Sequence, residues 1–165
     1  MLHIDFETRS ELELGGKNSV GIHNYATHPS TKALMMAYAF GEEEPEVWFP
    51  DEGPMPERIM KYIASGDSIA AWNSNFERYI LTYVCNIFVP IAQFQDPQAS
   101  ARYLSLPSTL ADVGLILNLR ALVLHIRRGC GLAEFVLQRG VGEIALIQSL
   151  LKLLAGRGVS ELPLR

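Results

Sequence analysis

The sequence predicts an α/β fold, because short apolar runs of strand type alternate along the chain with amphipathic helical patterns. Leu2 to Phe6 is a short apolar run with alternating neighbours, and Ala33 to Phe40 is a second run that is long enough for a buried strand. Pro54 and Pro56 precede a stretch in which apolar residues recur at helical spacing as far as about Ser65. Alternation of this kind is typical of a sheet flanked by helices.

Three further strands are predicted along the chain. The polar segment 11–31, between the first two strands, contains too many glycines and turn residues for one long helix. A third strand is predicted at Glu46 to Phe49 and a fourth at Ser68 to Trp72. The apolar segment Val89 to Phe94 predicts a fifth strand.

Helices are predicted between and after these strands. Gly66 is expected to end the helix that begins near Pro56. Asp96 and Pro97 have the residue types of an N-cap and a first helical position, and Ser108 is expected to cap a further helix that ends near Asn118. The helix after the fourth strand is predicted from apolar residues at spacings of three and four, namely Phe76, Ile80, Tyr83, Val84 and Ile87.

Composition limits the class of protein. A chain of 165 residues with 48% hydrophobic residues fits one compact domain. The net charge of −4 does not fit a protein that holds duplex DNA by charge alone. Cys85 and Cys130 lie in no metal-binding motif, which favours a reducing, cytoplasmic compartment. No secretory signal and no membrane-spanning apolar run is present, so no membrane partner is expected.

The composition changes near residue 119. From there to the last residue, Arg and Lys outnumber Glu and there is no Asp. The segment is leucine-rich and has a helical pattern over 141–154, but repeated glycines interrupt it. We therefore predict two parts, an α/β domain over residues 1–118 and a divergent, helical or irregular tail over residues 119–165.

Two acidic residues near the N-terminus form the first candidate site. Asp5 and Glu7 lie on one face of the first strand because side chains alternate with a period of two. Two neighbouring carboxylates are hard oxygen ligands that suit Mg²⁺ or Mn²⁺. The same spacing is also compatible with exposed acids at the end of a strand.

A second candidate motif follows the fourth strand and opens a helix. Here Glu77 is a third carboxylate near the carboxyl end of a strand, where open α/β sheets carry their sites. Asn73 lies at the same turn, where its side chain would orient a substrate. The alternative is structural, with Ser74 or Asn75 as the N-cap and Glu77 as an acid favoured by the helix dipole.

Together these residues resemble the first two motifs of the DEDD exonucleases, whose patterns are Asp-x-Glu-Thr and Asn-x-x-x-Asp. Asp5-Phe6-Glu7-Thr8 fits the first pattern fully. The segment from Asn73 to Glu77 fits the second with Glu in place of Asp, and Arg78 follows it as it often does in that family. The segments 25–31 and 37–39 are similar to the exonuclease domains of phage-type family A DNA polymerases. The resemblance covers about residues 1–118.

This resemblance implies an RNase H-like mixed sheet flanked by helices, incomplete at the C-terminus. It implies a proofreading 3′→5′ exonuclease that uses two divalent cations, Mg²⁺ or Mn²⁺. The expected partners are a single-stranded DNA 3′ end and a polymerase domain, normally in the same chain, in a bacterial or phage-infected cell. Asp5, Glu7 and Glu77 would be the catalytic acids and metal ligands. The residues expected to contact the substrate are Thr8, Asn73, Phe76 and Arg78.

The sequence departs from the family in its third motif. The family takes a fourth acid from a Tyr-x-x-x-Asp or His-x-x-x-Asp helix, and no such pair follows Glu77. The alternative function is therefore a catalytically impaired module that binds single-stranded DNA ends or a polymerase partner. Two residues also have structural interpretations: Asp96 as a plain N-cap, and Phe76 as a core side chain.

Overall fold

The protein contains a five-stranded mixed sheet with strand order β3-β2-β1-β4-β5. Its structure is a computed structural model that describes residues 1–117 together with Ile144, Ile147 and Gln148. The first three strands pair antiparallel, whereas β1 with β4 and β4 with β5 pair parallel. The strands are β1 (Leu2–Arg9), β2 (Lys32–Phe40), β3 (Glu46–Trp48), β4 (Ile69–Ala70) and β5 (Phe94–Gln95). The predicted α/β class, a mixed sheet with flanking helices, is confirmed.

Helices connect the strands and follow the last one. A π-helical turn, Ile80–Val84, directly continues the third helix, and a 3₁₀ turn, Ile91–Gln93, precedes β5. Within the described part of the chain, no helix is both long and apolar enough to cross a bilayer. The helices are α1 (Ile22–Thr27), α2 (Glu57–Ala64), α3 (Asn75–Tyr79), α4 (Pro97–Tyr103) and α5 (Leu110–Ile116).

The first face of the sheet carries the main hydrophobic core. Leu2, Ile4 and Phe6 alternate along β1 and are buried in one cluster with residues of α2 and of the π-helical turn. Ile59 and Ile63 form the buried side of α2, at the spacing of one helical turn. The core therefore lies between this face of the sheet and the helices that follow β3 and β4.

On the second face of the sheet, β2 is in contact with a residue from the C-terminal part of the chain. Ile144 is fully buried against Met35, Ala37 and Ala39 of β2. Small side chains on a sheet allow a neighbouring element to approach closely, and alanine supplies them here. Further contacts come from Ile147, which is buried with Leu110, and from Gln148, whose Nε2 donates to the carbonyl oxygens of Gly41 (2.9 Å) and Glu43 (3.2 Å).

These three residues are all that the structure describes of the predicted tail, and all three are helical. The rest of residues 119–165, including most of the helical pattern over 141–154, lies outside the described residues. The predicted division of the chain near residue 118 therefore stays a prediction.

The predicted fifth strand over Val89 to Phe94 is wrong in its extent. Only Phe94–Gln95 is a strand, and the residues before it form the 3₁₀ turn Ile91–Gln93. Pro90 removes a backbone donor that a strand would use. Gln93 is buried and its Nε2 donates to the carbonyl oxygens of Ile63 and Asp67, which ties the turn to α2.

Two helix predictions also need correction, the cap of α5 and the end of the helix after β4, whereas the prediction of no long helix over 11–31 is confirmed. The cap of α5 is Thr109 rather than Ser108, because Thr109 Oγ1 accepts a hydrogen bond from the backbone N–H of Asp112. The polar segment 11–31 contains a short helix, α1, whose Tyr25 and Ala26 are buried. The amphipathic helix predicted to reach Ile87 ends at Val84 with its last turn in π geometry.

Candidate functional site

Asp5 and Glu7 project from the second face of β1, opposite the main core. Their antiparallel partners on β2 are Ala37 and Met35, and directly opposed residues share a face. Asp5 is buried and Glu7 is half-buried, so neither is the plain exposed acid of the alternative interpretation. The predicted shared face of the acid pair is therefore confirmed by the strand register.

A register shift follows the acid pair. Glu7 pairs with Met35 but Thr8 pairs with Ala33, so the β2 strand carries one extra residue, Leu34, at this point. Such a β-bulge bends a strand, and bulges are frequent beside active sites because they redirect side chains. Thr8 lies on the core face, where its hydroxyl is 2.9 Å from that of Tyr25, and is thus separated from the acid pair.

His3 continues the row of Asp5 and Glu7 on the same face. Burial, assisted by the positive charge of the N-terminus, lowers the pKa of His3 to about 4. The imidazole is therefore neutral near pH 7 and adds no positive charge beside the acids.

Glu77 reaches the same end of the sheet by a different route. It lies in the first turn of α3, which follows β4, and β4 runs parallel to β1 through the pair His3–Ala70. The carboxyl ends of parallel strands meet at one edge of a sheet, so this topology directs the loop before Glu77 toward Asp5. Glu77 is 2% exposed, an unusual burial for a glutamate.

The donor chemistry of these acids suits a divalent cation, but the described geometry is incomplete. Carboxylate oxygens are the ligands that Mg²⁺ and Mn²⁺ favour. Among the residues that the structure describes, however, no three His, Cys, Asp or Glu side chains group closely enough to hold a metal ion. Asp5 and Glu7 share a face, and Glu77 does not complete a three-ligand cluster with them.

Asp96 fixes the loop that precedes α3. Its Oδ1 accepts hydrogen bonds from the backbone N–H groups of Asn73 (3.1 Å) and Gln98 (2.9 Å). Its Oδ2 accepts from the backbone N–H (3.1 Å) and the hydroxyl (3.3 Å) of Ser74. The bond from Gln98 confirms Asp96 as the N-cap of α4. Ser74 occupies the N-cap position of α3, as the structural alternative predicts, but its hydroxyl donates to Asp96 and makes no cap bond.

Asn73 adopts a left-handed backbone conformation with φ of 60°. Asn tolerates this conformation better than most residues, and non-glycine residues held in it concentrate at functional sites. Asp96 stabilises the conformation from one side, and the Asn73 carbonyl accepts from the Phe76 N–H at 2.9 Å on the other. The loop is thus held in one shape.

The remaining predicted contact residues point in different directions. Phe76 is half-buried in the main core with its ring centroid 6.3 Å from that of Tyr25, as its structural interpretation predicts. The guanidinium of Arg78 lies over the ring of Tyr79, 4.7 Å from the centroid. Arg78 and Tyr79 therefore form a surface feature next to Glu77, whereas Phe76 supports α3 from beneath.

A cavity of about 720 Å³ lies away from the predicted site. It opens at the β3 side of the sheet on the core face, among residues that include Trp48, Met55, Met60 and Cys85. None of the described residues that line it belongs to the predicted site. The cavity lies across the sheet from Asp5, so its lining does not contribute to the predicted acid site.

Comparison with known proteins gives one informative match. Over 122 residues the chain is 30% identical to the DNA polymerase of Bacillus phage SP02. The match covers 73% of this chain but 18% of that polymerase, so the chain spans less than one fifth of the relative's length. No protein-family model matches the chain. The chain is thus distantly similar to part of a phage DNA polymerase.

Proposed function

We propose that this chain is a 3′→5′ exonuclease module of a DNA polymerase, which removes nucleotides from a single-stranded DNA 3′ end with the help of divalent cations. The observation that carries the proposal is the placement of Asp5 and Glu7 on one face of the central strand, outside the main core. The distant similarity to a phage DNA polymerase supports it independently.

The acids have defined parts in this proposal. Asp5 and Glu7 would hold the cations, and Glu77 would support them from the start of α3 without joining the two acids in one three-ligand cluster. When bound, two Mg²⁺ or Mn²⁺ ions offset the repulsion between carboxylates and phosphate and polarise the phosphodiester toward attack by water. Asn73 and Arg78 would position the terminal nucleotide. Asn73 lies in the loop that Asp96 fixes, and Arg78 lies on α3.

A second function is favoured by a specific feature of the sequence. The absence of a Tyr-x-x-x-Asp or His-x-x-x-Asp pair after Glu77 removes the usual source of the fourth acid. A chain that lacks this acid would bind single-stranded DNA ends, or a polymerase partner, without hydrolysing DNA. Both proposed functions use the same surface, and only the first includes hydrolysis of DNA.

A 3′-labelled single-stranded oligonucleotide separates them. We expect the full chain to release the labelled terminal nucleotide in the presence of Mn²⁺ and to stop when EDTA removes the metal. Asp5→Ala should abolish release. Asp51→Ala is the matched control, because Asp51 is an exposed acid away from the predicted site, and it should release label at the wild-type rate.

Each outcome has a clear meaning. Equal release by the wild type and Asp5→Ala would show that the activity does not come from this site. Binding of the oligonucleotide without release would favour the impaired binding module over the nuclease.

A further inference from the structure

We infer that the aromatic rings of His23, Tyr79 and Tyr83 form a stacking surface for a base of single-stranded DNA, and that Arg78 beside them binds a backbone phosphate. This inference rests on the proposed function for the identity of the ligand. It adds a binding surface outside the acid site, built from two residues, His23 and Tyr83, that no motif includes.

The three rings come from two elements that pack together. The rings of Tyr79 and Tyr83 are stacked, with centroids 5.6 Å apart and planes inclined by 20°. His23 of α1 meets both rings edge-on, 5.8 Å from Tyr79 and 5.4 Å from Tyr83. His23 therefore holds the tyrosine pair in place, and the pair presents a preorganised aromatic surface.

The outer ring of this cluster is accessible. Tyr83 is 45% exposed and His23 is also exposed, whereas Phe76 on the same helix is turned into the core. Every nucleobase has a π face, so an exposed aromatic ring binds single-stranded bases without depending on their sequence. Tyr83 is the ring with room for such a base.

Arg78 supplies the charge that a nucleotide needs. Its guanidinium covers the Tyr79 ring, and its buried Nε has no hydrogen-bond acceptor among the described residues. A guanidinium that lies over one ring of a stacked pair matches one phosphate next to one base, and the fork of Arg is suited to phosphate.

The inference is tested by measuring, from fluorescence anisotropy, how tightly the full chain binds a fluorescein-labelled oligothymidylate. EDTA is present so that no cleavage occurs. Tyr83→Ala and Tyr83→Leu should both weaken binding about 5- to 150-fold, equivalent to ~1–3 kcal/mol for one stacked base. The leucine variant keeps apolar bulk on the helix and removes only the π face. Tyr83→Phe should bind within about twofold of the wild type, because the ring is retained.

Tyr103→Ala is the matched control, since Tyr103 is 85% exposed on α4 and belongs to no ring cluster. It should bind like the wild type. Arg78→Gln should reduce the slope of log affinity against log salt by ~0.7, the value for one phosphate on a single strand. Wild-type affinity in both Tyr83→Leu and Tyr83→Ala would overturn the inference, as would a wild-type chain that does not bind the oligonucleotide.

The same samples separate this inference from the proposed function. If the chain binds through Tyr83 but releases no nucleotide with Mn²⁺, the stacking inference stands and the nuclease proposal is wrong. If the Tyr83→Leu variant binds and cleaves the oligonucleotide like the wild type, the nuclease proposal stands and the stacking inference is wrong.

Discussion

The carboxylate of Asp96 accepts a hydrogen bond from the backbone N–H of Asn73 at 3.1 Å, across 23 positions of sequence. The same side chain caps α4 and binds Ser74 through its second oxygen. Because Asn73 follows β4 and Asp96 follows β5, one residue ties together the ends of two parallel strands. The loop that leads to Glu77 therefore depends on Asp96 for its shape.

Removal of the Asp96 carboxylate should destabilise the fold more than the loss of a cap alone. Asp96→Ala gives up the α4 cap and leaves the N–H groups of Asn73 and Ser74 without their acceptor, so we expect a loss of about 2–4 kcal/mol in the free energy of unfolding. Urea denaturation measures it. Thr109→Ala removes only the cap of α5 and should cost about 1 kcal/mol. Equal losses in the two variants would show that the bonds to the loop contribute nothing.

The cover on the second face of the sheet should contribute to stability. Ile144→Ala leaves a cavity against Met35, Ala37 and Ala39, with an expected cost of about 2–5 kcal/mol. Leu115→Ala is the control, because Leu115 is 67% exposed on α5 and its truncation should change stability by less than about 0.5 kcal/mol. If Ile144→Ala lowers the free energy of unfolding as little as the control does, the C-terminal segment does not unfold cooperatively with the sheet.

Tyr38 should make the fold sensitive to high pH. Burial, with the hydrogen bond to Glu46, raises the pKa of Tyr38 from 10.0 to about 12. Between these values the unfolded chain loses the phenolic proton while the folded chain keeps it, so stability is complete below pH 10 and falls as the pH rises toward 12. The expected loss is up to ~2 kcal/mol.

Urea denaturation of the wild type and of Tyr38→Phe, below pH 10 and between pH 10 and 12, isolates this contribution. The phenylalanine variant should show a flatter decline, while Tyr103→Phe, at an exposed position, should follow the wild type. Parallel curves for the wild type and Tyr38→Phe would contradict the assignment.

Glu77 should affect turnover more than binding. If Glu77 supports a cation from the start of α3, Glu77→Gln should reduce the rate of nucleotide release about 10- to 100-fold, the range found when a supporting group of a metal site is lost. Affinity for the oligonucleotide in EDTA should be unchanged. Glu52→Gln, at an exposed position, is the control for the loss of one negative charge. A full rate in Glu77→Gln would remove this residue from the site.

The parts of the fold set by local pattern could be predicted from the sequence. The apolar runs of β1 and β2 and the helical spacing of Ile59 and Ile63 gave the correct elements, because burial of one face fixes each register. The common face of Asp5 and Glu7 could be predicted because side chains alternate with a period of two along a strand.

The parts set by distant contacts could not be predicted. The 3₁₀ turn before β5 depends on Gln93 reaching the carbonyl of Ile63, 30 positions away. The hydrogen bond from Asn73 to Asp96 likewise joins segments that are distant in sequence, and so does the ring contact of His23 with Tyr83. Ile144 lies in a segment whose leucine-rich pattern did not indicate that it packs against β2.

The most direct test of the central claim is the product pattern from a 5′-labelled single-stranded oligonucleotide incubated with the full chain and Mg²⁺ or Mn²⁺. We expect a ladder that shortens from the 3′ end one nucleotide at a time. The ladder should be absent with Asp5→Asn, which keeps the shape of the side chain and removes its charge, and unchanged with Asp51→Asn. Identical ladders from the wild type and Asp5→Asn, or no shortening by the wild type under either metal, would contradict it.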